Sequence, residues 1–306
     1  MDIRTEKAAE KESKNMTLEE KKQQLAALMD EYTKQDVCLA LSGGVDSALL
    51  AWWAGKYAAG NHTKVYGVTF DTVLHPAADL EAARQSARDA GILHKVITVN
   101  ELEFAEIADN PENRCYLCKK GLFEQLIRFG QERGISTFLE GTNQDDLSVY
   151  RPGLQAVREL GVHSPLAQCQ ITKEEVRQLA REAGIRVASR PSAPCMATRL
   201  PYGARLDLDL LRRIEAAEEA VRELGFPVVR VRYHEPVARI EVEPEKLALA
   251  VQLKDFITRI LKALGFPYVT LDLEGFRSGS MDIPEASGGK AGEYTPEFLK
   301  NIPGEM

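Results

Sequence analysis

Between Asp36 and Thr142 short apolar runs alternate with amphipathic stretches. Val37-Cys-Leu-Ala-Leu41 is a compact apolar run that stops at a pair of glycines, and Val65–Phe70, Lys95–Val99 and Thr137–Glu140 are runs of the same kind. Ser47–Ala59 and Ala77–Gly91, which lie between them, carry helical spacing. Short apolar runs bounded by turn residues read as strands, and their alternation with helices predicts an α/β fold: a parallel sheet with helices on both faces. Ligands on such sheets lie beyond the carboxyl ends of the strands, which is where the loops at Gly43 and Gly141 fall. Thr172-Lys-Glu-Glu175 has the form of a capping box and predicts a further helix to Ala183.

The pattern breaks at Ser189–Gly203, where three prolines forbid a continuous helix. Beyond it, Leu224-Gly-Phe-Pro-Val-Val-Arg-Val-Arg232 recurs as Leu264-Gly-Phe-Pro-Tyr-Val-Thr-Leu-Asp272, each copy preceded by an amphipathic helix. Two related helix–strand units predict a small C-terminal α+β domain, for substrate or for oligomerisation. The expected organisation is a charged extension over 1–16, a nucleotide-binding domain over 17–200, the α+β domain over 201–280 and a loosely ordered tail over 281–306.

Composition narrows the classes. The 306 residues are 44% hydrophobic and 28% charged, ordinary for a globular protein. A net charge of −7 supplies no general field toward nucleic acid or anionic lipid, which counts against a nucleic-acid substrate. No apolar run is long enough to span a membrane, and Met1–Gln24 lacks the apolar stretch of a signal peptide. A reducing, cytoplasmic setting is expected, where structural disulfides are rare. Cys38, Cys115, Cys118, Cys169 and Cys195 then call for another explanation.

Ser42-Gly-Gly-Val-Asp-Ser47 joins a predicted strand to a predicted helix. Gly43 and Gly44 let backbone N–H groups approach an anion, the helix N-terminus adds partial positive charge, and Ser42 and Ser47 add hydroxyls. The plainer reading is a glycine turn with a serine cap. The Walker ending Gly-Lys-Ser/Thr is absent. The segment resembles the PP-loop of the ATP pyrophosphatase superfamily, which includes NAD and GMP synthetases and several tRNA thiolation enzymes. That resemblance implies cleavage of ATP between its α and β phosphates, a substrate adenylate, and Mg²⁺-bound pyrophosphate as leaving group, with Asp46 among the loop's ligands. Gly141-Thr-Asn-Gln-Asp-Asp146 is similar to a second superfamily element, which places Gly141, Asn143 and Asp145 near the nucleotide. The acidic pair Asp145–Asp146 suits Mg²⁺; its plainer reading is a turn that caps the next helix.

Asn113-Arg-Cys-Tyr-Leu-Cys-Lys-Lys120 opens a predicted helix, and a helix N-terminus lowers a thiol pKa. One Cys-x-x-Cys can be half a zinc site, a redox pair or part of an iron–sulfur site. No second pair of zinc ligands is evident, and the thioredoxin context is missing. Cys195, in a proline-bounded loop beside Arg199, is the candidate third thiol. Three thiolates can hold a 4Fe-4S cluster with one iron open to a labile sulfide; alternatively Cys195 is itself the sulfur donor. Cys38, inside a strand, and Cys169 read as structural.

Taken in order, Ser42–Ser47, Asn113–Lys119, Gly141–Asp146 and Pro191-Ser-Ala-Pro-Cys-Met-Ala-Thr-Arg-Leu-Pro-Tyr-Gly203 resemble the LarE family, with similarity from about Thr17 to Met281. That family transfers sulfur, at the expense of ATP, in synthesis of the nickel-pincer cofactor of lactate racemase, and it tends to homo-oligomers. The resemblance implies adenylation of a carboxylate of pyridinium-3,5-biscarboxylic acid mononucleotide and displacement of AMP by sulfur, repeated at the second carboxylate. Some members sacrifice the cysteine that matches Cys195; others carry three cysteines and a 4Fe-4S cluster, and Cys115, Cys118 and Cys195 place this chain with them. Arg199, Arg230 and Arg232 are expected to fork onto substrate phosphate or carboxylates, with Glu241 at a substrate contact. Glu218 reads first as the exposed face of an amphipathic helix. The alternatives are a tRNA-thiolating relative, an amide-forming ligase related to NAD synthetase, and a non-enzymatic protein on a decayed PP-loop fold. The first lacks a basic surface or RNA module, the second leaves the three cysteines unexplained, and the third conflicts with an intact loop.

Overall fold

The computed structural model describes residues 16–104, 106–149, 151–190, 194–277 and 280–281. All but the last residue of the extension expected over 1–16, the Pro191-Ser-Ala193 start of the cysteine loop, and all but the first residue of the tail expected over 281–306 lie outside the described residues.

Helix α1 (Leu18–Tyr32) starts at Thr17, whose side chain accepts from the Glu20 amide while the Glu20 carboxylate returns to the Thr17 amide, closing a capping box. Strands β1 (Val37–Ala40), β2 (Val65–Thr72), β3 (Leu93–Val99) and β4 (Thr137–Leu139) form an all-parallel sheet in the order β3-β2-β1-β4. Val37 is in register with Val65 on one side and Thr137 on the other. Central β1 therefore has neighbours on both edges and helices on both faces, which is why it is apolar at every position rather than alternating. On one face, α1, α2 (Val45–Asn61) and α5 (Lys173–Glu182) bury Leu25, Met29, Leu49, Leu50, Val176 and Leu179; α3 (Ala77–Asp89) adds Ala83 and Ala87. On the other face, α4 (Arg114–Gln131) brings Phe123, Leu126 and Phe129 against Phe138 and Cys38. Cys38 and Cys169 are buried, in keeping with structural roles.

The predicted repeat is a repeat of structure. Helix α6 (Leu208–Glu223) leads into β5 (Val229–His234), and α7 (Lys254–Ala263) leads into β7 (Tyr268–Leu271). After each helix a glycine takes a left-handed conformation, Gly225 at φ 101° and Gly265 at φ 87°. That turn drops Phe226 or Phe266 into the core at no more than 1% exposure. Both repeat strands flank β6 (Val237–Val242), β5 antiparallel and β7 parallel to it. The hydrophobic cluster of this small sheet also takes in Leu74, Ile107, Met196, Ala197 and Leu200, so the loop around Cys195 rests on the C-terminal layer. Among the described residues, no helix is long and apolar enough to cross a membrane.

Candidate active site

A cavity of about 420 Å³ runs from the carboxyl ends of β1 and β2 to the first turns of α4. Ser42, Asp46, Ser47 and Gly141 stand at one end, and Cys115, Cys118 and Cys195 at the other.

At the first end the loop is tightly specified. Gly43 has φ +78°, and a Cβ there would lie 2.2 Å from the Asp79 carbonyl oxygen, so only glycine fits. The Ser42 amide donates to Ser47 Oγ at 3.1 Å, and Ser47 Oγ donates to the Gly44 carbonyl at 3.1 Å. No side chain caps α2, whose N-cap is Gly44, so the amides of its first turn remain available to an anion. Gly141 brings the second loop close: a Cβ there would lie 3.0 Å from the Ser47 nitrogen. Asn143 Nδ2 donates to Asp46 Oδ1 at 3.1 Å, and Lys173 Nζ pairs with Asp46 Oδ2.

The acidic pair divides. Asp145 is exposed and off the cavity wall, and its carboxylate accepts from the Lys173 amide at 2.9 Å, capping α5. Asp146 faces the cavity, accepts from the Asn143 amide at 3.1 Å and pairs with Arg151 at 2.9 Å. Asp145 thus caps a helix, though the one that starts at Lys173 and not the next along the chain, and of the pair only Asp146 lines the cavity.

Midway, Glu140 is buried at the end of β4 and takes Lys119 Nζ at 3.0 Å and the Thr142 amide at 2.9 Å. Burial alone would raise its pKa; the Lys119 charge and the hydrogen bonds from Ser164 and Thr142 outweigh that and hold it below the ordinary glutamate value. Lys119 lies one turn beyond Cys115 on α4, so this ion pair bridges the two ends.

At the far end, Cys115 is exposed and Cys118 and Cys195 are half-buried. The expected lowering of thiol pKa by the helix N-terminus does not hold for Cys118. Burial pushes that thiol well up, with the nearby charges of Cys195, Glu101 and Cys115 acting the same way. Burial also pushes Cys195 up to about 11; the Ala197 amide and the Arg114 charge oppose it, while Cys115 and Glu101 add to it. Glu101 is fully buried, accepts from the Val73 amide at 3.1 Å and stands 3.7 Å from His75 Nδ1. The Met196 amide donates to the Leu74 carbonyl at 2.8 Å, which pins the cysteine loop to the segment after β2.

The residues expected to grip substrate form a separate buried layer beneath that loop. Arg199 is 3% exposed and forks onto Glu218, Nε–Oε1 2.8 Å and Nη2–Oε2 2.9 Å. Its Nη1 donates to the carbonyls of Pro194 at 3.1 Å and Cys195 at 3.4 Å. Glu218 is therefore buried, contrary to its reading as an exposed helix face; its Oε1 also accepts from the Val231 amide at 3.0 Å. An amphipathic pattern marks the face a helix buries, and it cannot show that an arginine from another element will make a carboxylate there worth burying. Arg232 pairs with Glu241 at 3.0 Å and donates to the Thr198 carbonyl at 2.8 Å; Arg239 takes the other Glu241 oxygen at 3.0 Å. Arg230 lies over the Phe276 ring at 5.1 Å, and burial with the nearby Arg199 charge lowers its pKa to about 10. None of Arg199, Arg230, Arg232 and Glu241 lines the cavity itself.

Sequence reasoning did not single out Lys173, Arg190, Glu140, Glu101, His75 or Arg114. Lys173 is the first residue of a legible capping-box helix, and Lys119 is one turn from a legible cysteine. Arg190, which donates to the Gly43 carbonyl at 3.1 Å and pairs with Asp79 at 2.6 Å, carries no sequence signal at all.

The PP-loop domain family matches residues 17–148. An uncharacterized protein of Synechocystis sp. is 40% identical over 246 residues, 80% of this chain and 91% of that protein. Pyridinium-3,5-bisthiocarboxylic acid mononucleotide synthase of Lactiplantibacillus plantarum is 35% identical over 266 residues, 87% of this chain and 95% of that protein. An uncharacterized protein of Methanocaldococcus jannaschii is 31% identical, covering 82% of this chain and 94% of its own length. Near-complete mutual coverage, with a loop of PP-loop form intact at its N-terminal half, means that the chain belongs to the LarE family, that of the L. plantarum synthase, and is an ATP-dependent PP-loop sulfurtransferase.

Proposed function

We propose that this enzyme adenylates a carboxylate of pyridinium-3,5-biscarboxylic acid mononucleotide and replaces the AMP with sulfur, twice, for the nickel-pincer cofactor. The observation that carries the reading is the single cavity joining the Ser42–Ser47 loop to three cysteines. Its size suits a small ligand. A carboxylate oxygen attacks the α-phosphorus and pyrophosphate leaves, held by the α2 N-terminus with Ser42, Gly43, Gly44 and Ser47; Asp46 and Asp146, which line the same cavity, would hold a Mg²⁺ that neutralises the leaving charge. The acyl adenylate then lies between loop and thiols, where a sulfur nucleophile attacks the acyl carbon and AMP leaves. Arg199, Arg230 and Arg232 lie off the cavity wall, and the part of Arg199 and Arg232 is to carry the cysteine loop beside the substrate, Arg199 through the Pro194 and Cys195 carbonyls and Arg232 through the Thr198 carbonyl. Glu241 orients Arg232.

Among the described residues, no three His, Cys, Asp or Glu side chains stand close enough to hold one metal ion. A 4Fe-4S cluster asks for something different, since each thiolate binds its own iron and the three therefore stand further apart. Cys115, Cys118 and Cys195 all line one cavity, and three thiols around one space suit that donor set. When bound, such a cluster supplies a place for exogenous sulfide and permits repeated turnover. Without it, Cys195 attacks the acyl carbon itself and loses its sulfur by elimination, leaving dehydroalanine.

Iron and acid-labile sulfide per chain, measured after anaerobic purification for the parent and Cys115→Ser, decide between the two. About four irons in the parent, lost in the variant, support the cluster. No iron after reconstitution, together with loss of H₂S mass at Cys195 after one round, establishes the sacrificial route. Pyrophosphate release that does not depend on the pyridinium dicarboxylate would overturn the substrate assignment.

A further inference from the structure

Arg114 opens α4 beside Cys115, is only 6% exposed, and lines the cavity. Its guanidinium stacks on the Tyr202 ring at 4.4 Å, and its Nε has no hydrogen-bond partner. Among the described residues it has no ion pair. Arg199 and Arg232, a layer below, each face a carboxylate at 3.0 Å or less. Without a carboxylate among the described residues, the Tyr202 ring and the nearby Cys195 sulfur offset its desolvation only in part, and an anion entering the cavity would complete the match. It also stands at the start of an 18-residue helix whose N-cap, Asn113, makes no side-chain cap, so the helix dipole favours the same sign of ligand.

Resting on the proposed function, the geometry points to Arg114 as the anchor for the ring carboxylate that is not being activated. The two carboxylates of the substrate differ in charge during the reaction. The one being adenylated gives up its anionic oxygen to the phosphoryl group, whereas the waiting one stays a planar anion that a guanidinium fork matches. After the first round the product thiocarboxylate is again a planar anion, so the same residue serves the second round with the ring turned over. Tyr202 holds the guanidinium plane, and the thiol end of the cavity thereby selects an aromatic dicarboxylate over a monocarboxylate.

The test uses the full-length protein, purified anaerobically and saturated with a non-hydrolysable ATP analogue. Pyridine-3,5-dicarboxylate and pyridine-3-carboxylate are titrated calorimetrically into the parent, Arg114→Gln and Arg114→Lys. The parent prefers the dicarboxylate; Arg114→Gln loses about 10- to 100-fold in its affinity and with it the preference. Arg114→Lys, which keeps the charge without the fork, lies between and stands in should the glutamine variant not fold. Affinity for the ATP analogue and iron content stay at parental values. An unchanged preference in Arg114→Gln overturns the inference. So does a loss of preference accompanied by loss of iron or nucleotide, which makes Arg114 a support of the loop. If the parent binds neither pyridine carboxylate and releases no pyrophosphate with the mononucleotide, the failure lies in the proposed function, and the inference falls with it.

Discussion

At the nucleotide end of the cavity, the groups that face an anion come from one short loop and the helix behind it: backbone amides, two hydroxyls and the dipole of α2. At the cysteine end, the Cys195 loop is carried by a layer of buried arginines and carboxylates drawn from 199, 218, 232, 239 and 241. The first arrangement leaves the first-turn amides of α2 without a side-chain cap; the second commits most of its donors to the protein. The two ends therefore fail differently. Damage to the loop removes function from a folded protein, whereas damage to the arginine layer removes the folded protein beneath the thiols.

The largest effect that tests this contrast is Glu218→Ala. It leaves Arg199 buried and unmatched, and the expected loss is about 3–5 kcal/mol of stability, read as the change in chemical denaturation midpoint. A loss below about 1 kcal/mol, the surface-pair range, means the layer is not structural. Gly43→Ala comes next. Its Cβ collides with the Asp79 carbonyl at 2.2 Å, and the strained loop loses about 10²-fold or more in pyrophosphate release while the denaturation midpoint stays near the parental value. Near-parental turnover would show that the loop relaxes and that its geometry does not set the rate. The smallest effect concerns the Lys119–Glu140 bridge. Because the folded Glu140 pKa lies below the ordinary 4.5, the pair contributes stability that is complete above that value and lost as pH falls from 4.5 through the folded pKa. Thermal melts of parent and Glu140→Gln should differ most near neutrality and converge in that acid window. A constant difference across it would place the stabilisation in shape and not in charge.

Legibility followed the same division. The Ser42–Ser47 loop could be read directly because its chemistry is local: adjacent glycines, a strand before and a helix after. The parallel sheet was legible for a related reason, since apolar runs such as Val37–Leu41 carry their burial in their composition. The capping box at Thr172 and the helix–glycine–strand repeat ending at Phe226 and Phe266 are likewise written in neighbouring residues. Asp145 and Asp146 show where that kind of reading stops. They are adjacent and chemically alike, and only the path of α5 decides that one caps a helix while the other faces the cavity.

The sequence by itself determined the nucleotide loop, the sheet that presents it, and the identity of three cysteines as the chemically unexplained residues, because each depends on spacing along the chain. Only the tertiary structure decided that Cys115, Cys118 and Cys195 share one cavity with that loop. It also decided that Glu218 is buried against Arg199 and that Arg114 reaches the cavity without a carboxylate partner among the described residues. These depend on which distant charges meet after packing. Whether a buried charge is matched is a property of its surroundings, which residue type and spacing do not encode.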